Sequence, residues 1–183
     1  MKEITWYGRG GQGAFTASRI LGAAAMIKGY NSLAFPSFGP ARRGAPIRAF
    51  TKISEDRIVD RSIIKKNDYI IVLDDSLYVD SLTESLKDTG YLLINTKKDR
   101  SEFSDPRILT QDISTDAEEL LGRPIVNIGI LGLLLQVEEA IAIQDVAESI
   151  RGYMPQKLVD KNIKLLNKVY EVSRGKKNDH TVA

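Results

Sequence analysis

Residues 8–13 read Gly-Arg-Gly-Gly-Gln-Gly, and they hold the first chemistry this chain offers. Glycines at that density let a chain turn sharply and leave backbone N–H groups free. A helix that starts there adds the positive end of its dipole, so the combination suits an anion, above all a phosphate. Gly8, Gly10 and Gly13 have the G-x-G-x-x-G spacing of dinucleotide sites. An NAD site also needs an acidic residue about 20 positions further on to hold the ribose hydroxyls. Asn31–Gly39 contains no Asp or Glu. The spacing therefore points to phosphate and away from NAD ribose. The plainer alternative is a turn that only lets a helix pack closely on a strand.

A second candidate lies in Pro36–Pro46, where three prolines and two glycines fix an irregular path. Arg42 and Arg43 stand inside it between rigid flanks, and the planar fork of arginine suits bidentate contact with phosphate or carboxylate. Either could instead meet an acidic residue of a partner chain, and Arg48 could meet Asp60. Asp74, Asp75 and Ser76 end an apolar run; they can bind a ligand or cap the next helix, and capping is the preferred reading.

Other chemistry is missing. The chain has no cysteine, which removes disulfides, cysteine-held iron–sulfur clusters and thiol nucleophiles. Its one histidine, His180, lies in a polar tail, so neither a Ser-His-Asp triad nor a multi-histidine metal site is expected. No catalytic residue and no metal ligand is assigned. Net charge is +2, but residues 1–62 carry ten basic and four acidic side chains. Between Ile4 and Ser54 there are seven basic residues and no acid. A solvated basic face is the bland reading of such a run, and an anionic ligand the functional one. The basic residues are dispersed without interleaved stacking aromatics, which argues against nucleic acid. No apolar run approaches membrane-spanning length, and the start at Met1 leads directly into a strand, so a cytoplasmic protein is expected.

The elements that must position these residues alternate between strand and helix. Strands are predicted at Glu3–Tyr7, Ser32–Phe35, Ile47–Ile53, Tyr69–Leu73, Tyr91–Asn95 and Ile108–Ile113. Ile58-Val59 is expected to return on Ile47–Ile53 as a hairpin. Helices are predicted at Gln12–Lys28, Ser76–Leu86, Thr115–Leu121 with Thr115 and Glu118 as a capping box, Ala142–Met154 and Pro155–Ser173. Trp6 and Tyr7 are read as core residues. Ile125–Ile143 is too apolar for a surface helix, so it is either core or buried against another subunit. Ile125–Leu135, with Val137 and Ile141, predicts an obligate partner surface. The fold class is α/β, a mostly parallel Rossmann-like sheet with helices on both faces, an antiparallel hairpin and a helical C-terminal third. Residues 1–174 form one domain and 175–183 a disordered tail. The Gly8–Gly13 turn and the Ser37–Gly44 loop should meet at the carboxyl edge of the sheet, with amides near Gly10, Gly11 and Gly13 facing a shared cleft.

Together these segments resemble a known family. Gly-Arg-Gly-Gly-Gln-Gly-Ala-x-Thr-Ala, then Ala-Phe-Pro-Ser-Phe-Gly-Pro-x-Arg-Arg-Gly-Ala-Pro-x-x-Ala-Phe, are similar to the gamma subunits of 2-oxoacid:ferredoxin oxidoreductases, most of all those of the pyruvate synthase type. Ile58…Arg61-Ser62 and Tyr69–Leu77 also fit. The resemblance is motif-level over residues 3–77 and pattern-level over 78–160. One departure is Ala41, where the family often has Glu before the double arginine; that removes a possible ion pair beside the loop.

The resemblance implies a complex that converts pyruvate and coenzyme A to acetyl-CoA and CO2 while reducing ferredoxin. Thiamine diphosphate, Mg2+ and iron–sulfur clusters would sit on partner alpha, beta and delta subunits. Coenzyme A would lie at an interface bordered by Gly8, Arg9, Gly10, Gly11, Gln12, Gly13, Ser37, Arg42 and Arg43. A branched-chain 2-oxoacid:ferredoxin oxidoreductase gamma subunit, a stand-alone nucleotide-binding Rossmann module and a pure assembly scaffold are the rival readings.

Overall fold

The computed structural model describes residues 1–37 and 43–179. Six strands form one sheet: β1 (Lys2–Arg9), β2 (Asn31–Pro36), β3 (Pro46–Ser54), β4 (Asn67–Val72), β5 (Leu86–Asn95) and β6 (Ile108–Gln111). Their order is β2-β3-β1-β4-β5-β6. β3 is antiparallel to both of its neighbours, and β1, β4, β5 and β6 run parallel. The antiparallel partner of β3 is thus not Ile58-Val59, as expected. Residues 57–60 have no regular structure. β3 pairs with β2 across the proline-rich loop and with β1, where it finds apolar neighbours on a full strand length instead of two residues.

The five α-helices are α1 (Ala14–Ile27), α2 (Ile113–Leu121), α3 (Gly129–Leu134), α4 (Ile143–Tyr153) and α5 (Gln156–Asp179). All five contribute to one apolar cluster with Ile4, Trp6, Tyr69, Ile71 and Leu93. Those five strand residues share one face, because side chains alternate along a strand and the register sets Ile4 beside Tyr69 and Trp6 beside Ile71. The other face gathers Ile70, Val72, Leu92, Ile94, Phe103 and Ile108. It is covered by 3-10 turns, including Asp75–Leu77 and Asp80–Ser85, through Leu77, Tyr78 and Leu82. Helices therefore do cover both faces, but on the second they are short turns. The single α-helix expected over Ser76–Leu86 is broken where Tyr78 and Val79 turn extended.

Trp6 is fully buried, and its indole N–H donates to Thr51 Oγ1 at 3.0 Å; that hydroxyl donates to the Ser18 carbonyl at 3.1 Å. The chain of bonds ties β1, β3 and α1 together. Asp112 caps α2 by accepting from the Thr115 amide at 3.0 Å, one turn earlier than the expected capping box. Ile128, Ile130, Leu131 and Leu134 are fully buried within the chain itself, between sheet and α5. Although Ile125 stays exposed and Leu133 and Val137 border a groove beside β6, most of the partner surface expected over Ile125–Leu135 is therefore interior to the chain. Burial of each such side chain contributes about 1.5–3 kcal/mol. α5 continues past Ser173 to Asp179.

Candidate functional site

The glycine turn leaves β1 where the sheet changes its winding direction, since β1 connects outward to β2 while β4 and the later strands extend the other way. Open α/β sheets bind ligands at such a switch point, at the carboxyl ends of the strands. Gly11 (φ +97°) and Gly13 (φ +80°) have the left-handed backbone that glycine permits. Gly13 begins α1, which has no side-chain cap and no acid in its first turn. A Cβ on Gly13 would stand 2.5 Å from Asn127 Nδ2, and one on Gly8 would stand 3.2 Å from a Leu73 methyl. These glycines permit both the turn and the close packing of their neighbours.

The turn is braced from three sides. The Gly10 amide donates to the Ala45 carbonyl at 2.9 Å, and the Gly44 amide to the Gly10 carbonyl at 3.0 Å. Turn and loop thus meet as expected, but the Gly10 N–H is spent on that contact and does not face a cleft. Gly11 and Gly13 have no amide acceptor among the described residues. Asn127 donates to the Gly13 carbonyl at 3.3 Å. Its Oδ1 is buried with no partner. Asn127 gave no signal in the sequence, because 114 residues separate it from the turn.

Arg9 is the keystone between turn and strand ends. Its Nε donates to Asp74 Oδ2 at 3.1 Å, one terminal nitrogen to the Gly44 carbonyl at 3.1 Å and the other to Ser76 Oγ at 2.8 Å. Gln12 uses both ends of its amide, accepting from the Arg9 amide at 2.7 Å and donating to Asp74 at 2.9 Å. Burial works against an ionised Asp74, but Ser76, Gln12 and Arg9 outweigh it and hold the carboxyl below its ordinary pKa. Asp74 also caps the Asp75–Leu77 turn, so it both caps and anchors the site. Asp75 accepts from Thr96 Oγ1 at 2.6 Å.

Ser37 closes the base of the loop: its amide donates to the Arg48 carbonyl at 2.8 Å, and its hydroxyl accepts from the Arg48 amide at 3.2 Å. Arg43 is exposed at the rim, and Arg42 lies outside the described residues. Arg48 does not meet Asp60; its guanidinium lies over the Phe50 ring at 5.9 Å, and Asp60 pairs with the buried Lys52 at 2.7 Å. The charge of Arg9 is matched by Asp74, so among the described residues the exposed Arg43 at the rim, with Arg48 behind it on β3, is left to attract an anion here. Insertion of β3 between β1 and β2 also moves the end of β2 two strand spacings, roughly 10 Å, from the glycine turn. The place where a dinucleotide site holds ribose is occupied by another strand.

The family description "Pyruvate ferredoxin/flavodoxin oxidoreductase" matches residues 3–172. This chain belongs to that family. It is 41% identical to pyruvate synthase subunit PorC of Methanothermobacter marburgensis over 172 residues, covering 93% of this chain and 97% of that one. It is 38% identical to the common gamma subunit of the pyruvate and ketoisovalerate oxidoreductases of Pyrococcus furiosus over 179 residues, covering 93% of this chain and 96% of that one. The crystal structure of pyruvate oxidoreductase subunit PORC from Thermotoga maritima superimposes with a TM-score of 0.80 at 35% identity, covering 93% and 95% of the two chains. The family and the gamma-type chain suggested by the two loops are thus established over nearly the full length. No helix among the described residues is long and apolar enough to cross a membrane.

Proposed function

We propose that this chain is the gamma subunit of a pyruvate:ferredoxin oxidoreductase and that its glycine-turn edge borders coenzyme A in the assembled complex. The reaction would consume pyruvate and coenzyme A, release CO2, form acetyl-CoA and reduce ferredoxin. The observation that carries the site is the braced turn: uncapped α1, the amides of Gly11 and Gly13 with no acceptor among the described residues, and Arg43 on the same edge. This edge can hold a phosphate without any side chain titrating. It offers nothing for the redox step. With no cysteine, the chain has no thiolates for an iron–sulfur cluster; on the family resemblance, the clusters, thiamine diphosphate and Mg2+ would sit on partner alpha, beta and delta subunits.

A second reading concerns the 2-oxoacid. One relative is by name a subunit common to pyruvate and ketoisovalerate oxidoreductases. On that pattern, this chain would serve a branched-chain 2-oxoacid equally well, and partner chains would select the substrate.

The test is steady-state kinetics of the reconstituted complex, with coenzyme A and pyruvate varied separately. Loss of a charge-assisted phosphate contact contributes on the order of 1.5–3 kcal/mol, or about tenfold to a hundredfold in KM. Arg43→Ala and Arg42→Ala are expected to raise the KM for coenzyme A by that factor and leave that for pyruvate alone. Unchanged coenzyme A dependence in a normally assembled complex would show that the site is misassigned. A lower yield of complex with unchanged KM would favour a scaffold.

A further inference from the structure

The larger cavity recorded among the described residues, about 870 Å3, lies away from the glycine turn, along the outermost strand β6. Its wall takes in Ile108–Gln111, the whole of β6, with Pro106 at one end and Asp112 at the other. Leu133, Val137 and Ser173 close it on the helical side. It is a groove that runs the length of a sheet edge.

Three features of the groove match an extended peptide. The first is the backbone. The Arg107 and Gln111 carbonyls accept from Leu92 and Thr96 of the β5 side. Alternate residues of a parallel strand face the same neighbour, so Thr110 turns both its N–H and its C=O to the open side, where β6 has no further strand. The second is Gln111, 5% exposed. Ser173 Oγ bonds one end of its amide, while the other end, placed as Nε2, is buried with no partner. Whichever way round the amide sits, one end stays open. The third is charge. Lys97 and Lys98 follow Thr96, whose amide meets the Gln111 carbonyl, so they stand at the carboxyl end of the groove. Arg100 also lines the groove but donates to the Phe103 and Asp105 carbonyls, and Asp99 and Asp112 each cap a helical turn. Lys97 and Lys98 are exposed.

We propose that an extended segment of a partner subunit completes this edge as a seventh strand. Its alternate side chains would fill the groove over Leu109, Leu133 and Val137, and an acidic residue would meet Lys97 and Lys98. Main-chain bonds at Thr110 supply affinity, and the cavity and the lysines supply specificity. The inference rests on the reading that the chain works inside a multi-subunit oxidoreductase.

Two substitutions at one residue test it. Proline is tolerated on an edge strand where the N–H faces outward, so Thr110→Pro should leave the isolated chain folded and remove the key donor. Its recovery on tagged partner subunits is expected to fall about tenfold against the wild-type chain, with an unchanged circular dichroism melt. In this cysteine-free chain, Thr110→Cys is a unique thiol. Maleimide should label it readily in the isolated chain and at least tenfold more slowly in the purified complex. Equal labelling in both states, or normal assembly of Thr110→Pro, overturns the proposal alone. Protection already present in an isolated dimer overturns it in favour of a second copy of this chain. If the wild-type chain recovers no partner at all, the subunit reading and this one fall together. Should Thr110→Pro not fold, the labelling result decides.

Discussion

The glycines of the turn are not equivalent. Gly13 combines a left-handed backbone with a neighbour at 2.5 Å from any added Cβ, whereas a Cβ on Gly11 would meet nothing within 4 Å. Gly13→Ala is therefore expected to cost about 2–3 kcal/mol and Gly11→Ala about 1 kcal/mol in urea unfolding. Equal losses would mean that Asn127 yields freely. Asp74 gives the turn a pH dependence. Its pKa is lowered on folding, so the unfolded chain holds the proton more tightly. The stability it contributes is fully present above the ordinary Asp pKa of about 3.9 and is lost as pH falls through the folded value. The stability gap between wild type and Asp74→Asn should be full at pH 6 and shrink below about pH 4. A gap that stays constant down to pH 3 would mean that Asp74 is not the ionised anchor of Arg9.

Elements meet here through small residues and, on β3, through a buried ammonium. A Cβ on Gly132 of α3 would stand 2.6 Å from the Leu166 carbonyl and 2.9 Å from the Tyr170 amide of α5. Backbone cannot swing aside like a side chain, so Gly132→Ala should force the helices apart and cost about 1–3 kcal/mol, read from the thermal midpoint. On β3, the Lys52 side chain is 1% exposed, while its partner Asp60 is 56% exposed. Removal of either residue is therefore asymmetric. Asp60→Ala strands a buried ammonium, with Glu3 at 4.0 Å as the remaining carboxylate. Lys52→Met leaves only an exposed Asp60, which water can solvate. The first substitution should lower the urea midpoint clearly more than the second. The salt bridge also explains the lost hairpin. Residues 57–60 arrive at β3 through the Asp60 side chain and its carbonyl, not through a strand ladder.

At the scale of the whole molecule, the chain divides into a helical side, a strand-end edge with the braced turn, and the open β6 edge. Without cysteine it has no thiolates to hold an iron–sulfur cluster of its own. The purified single chain is expected to show no pyruvate-dependent reduction of a dye acceptor, with activity appearing only after partner subunits are added. Turnover by the single chain would remove the division of labour argued above. Because α3 lies inside the core, the isolated chain should stay folded without a partner on that face, as a cooperative urea transition would show.

Local pattern carried much of this. The apolar runs at Glu3–Tyr7 and Tyr69–Leu73 read as strands, and Gly8–Gly13 read as a turn into a helix. The basic Ile4–Ser54 stretch and the absence of cysteine bounded the chemistry before any folding. Such features are legible because they depend on neighbours within a few residues. The inner or outer fate of Ile128–Leu135 was not, since equal apolarity suits a core and an interface. Nor was the pairing of β3, which required the competing burial of two strands to be compared. Arg9 reads in sequence as a cation for a ligand. Only tertiary structure brings Asp74 to it across 65 residues and turns it into a brace, and only tertiary structure sets Asn127 beneath Gly13 and leaves β6 without a neighbour. Those outcomes were decided by long-range packing and charge pairing, whose partners no local window of sequence contains.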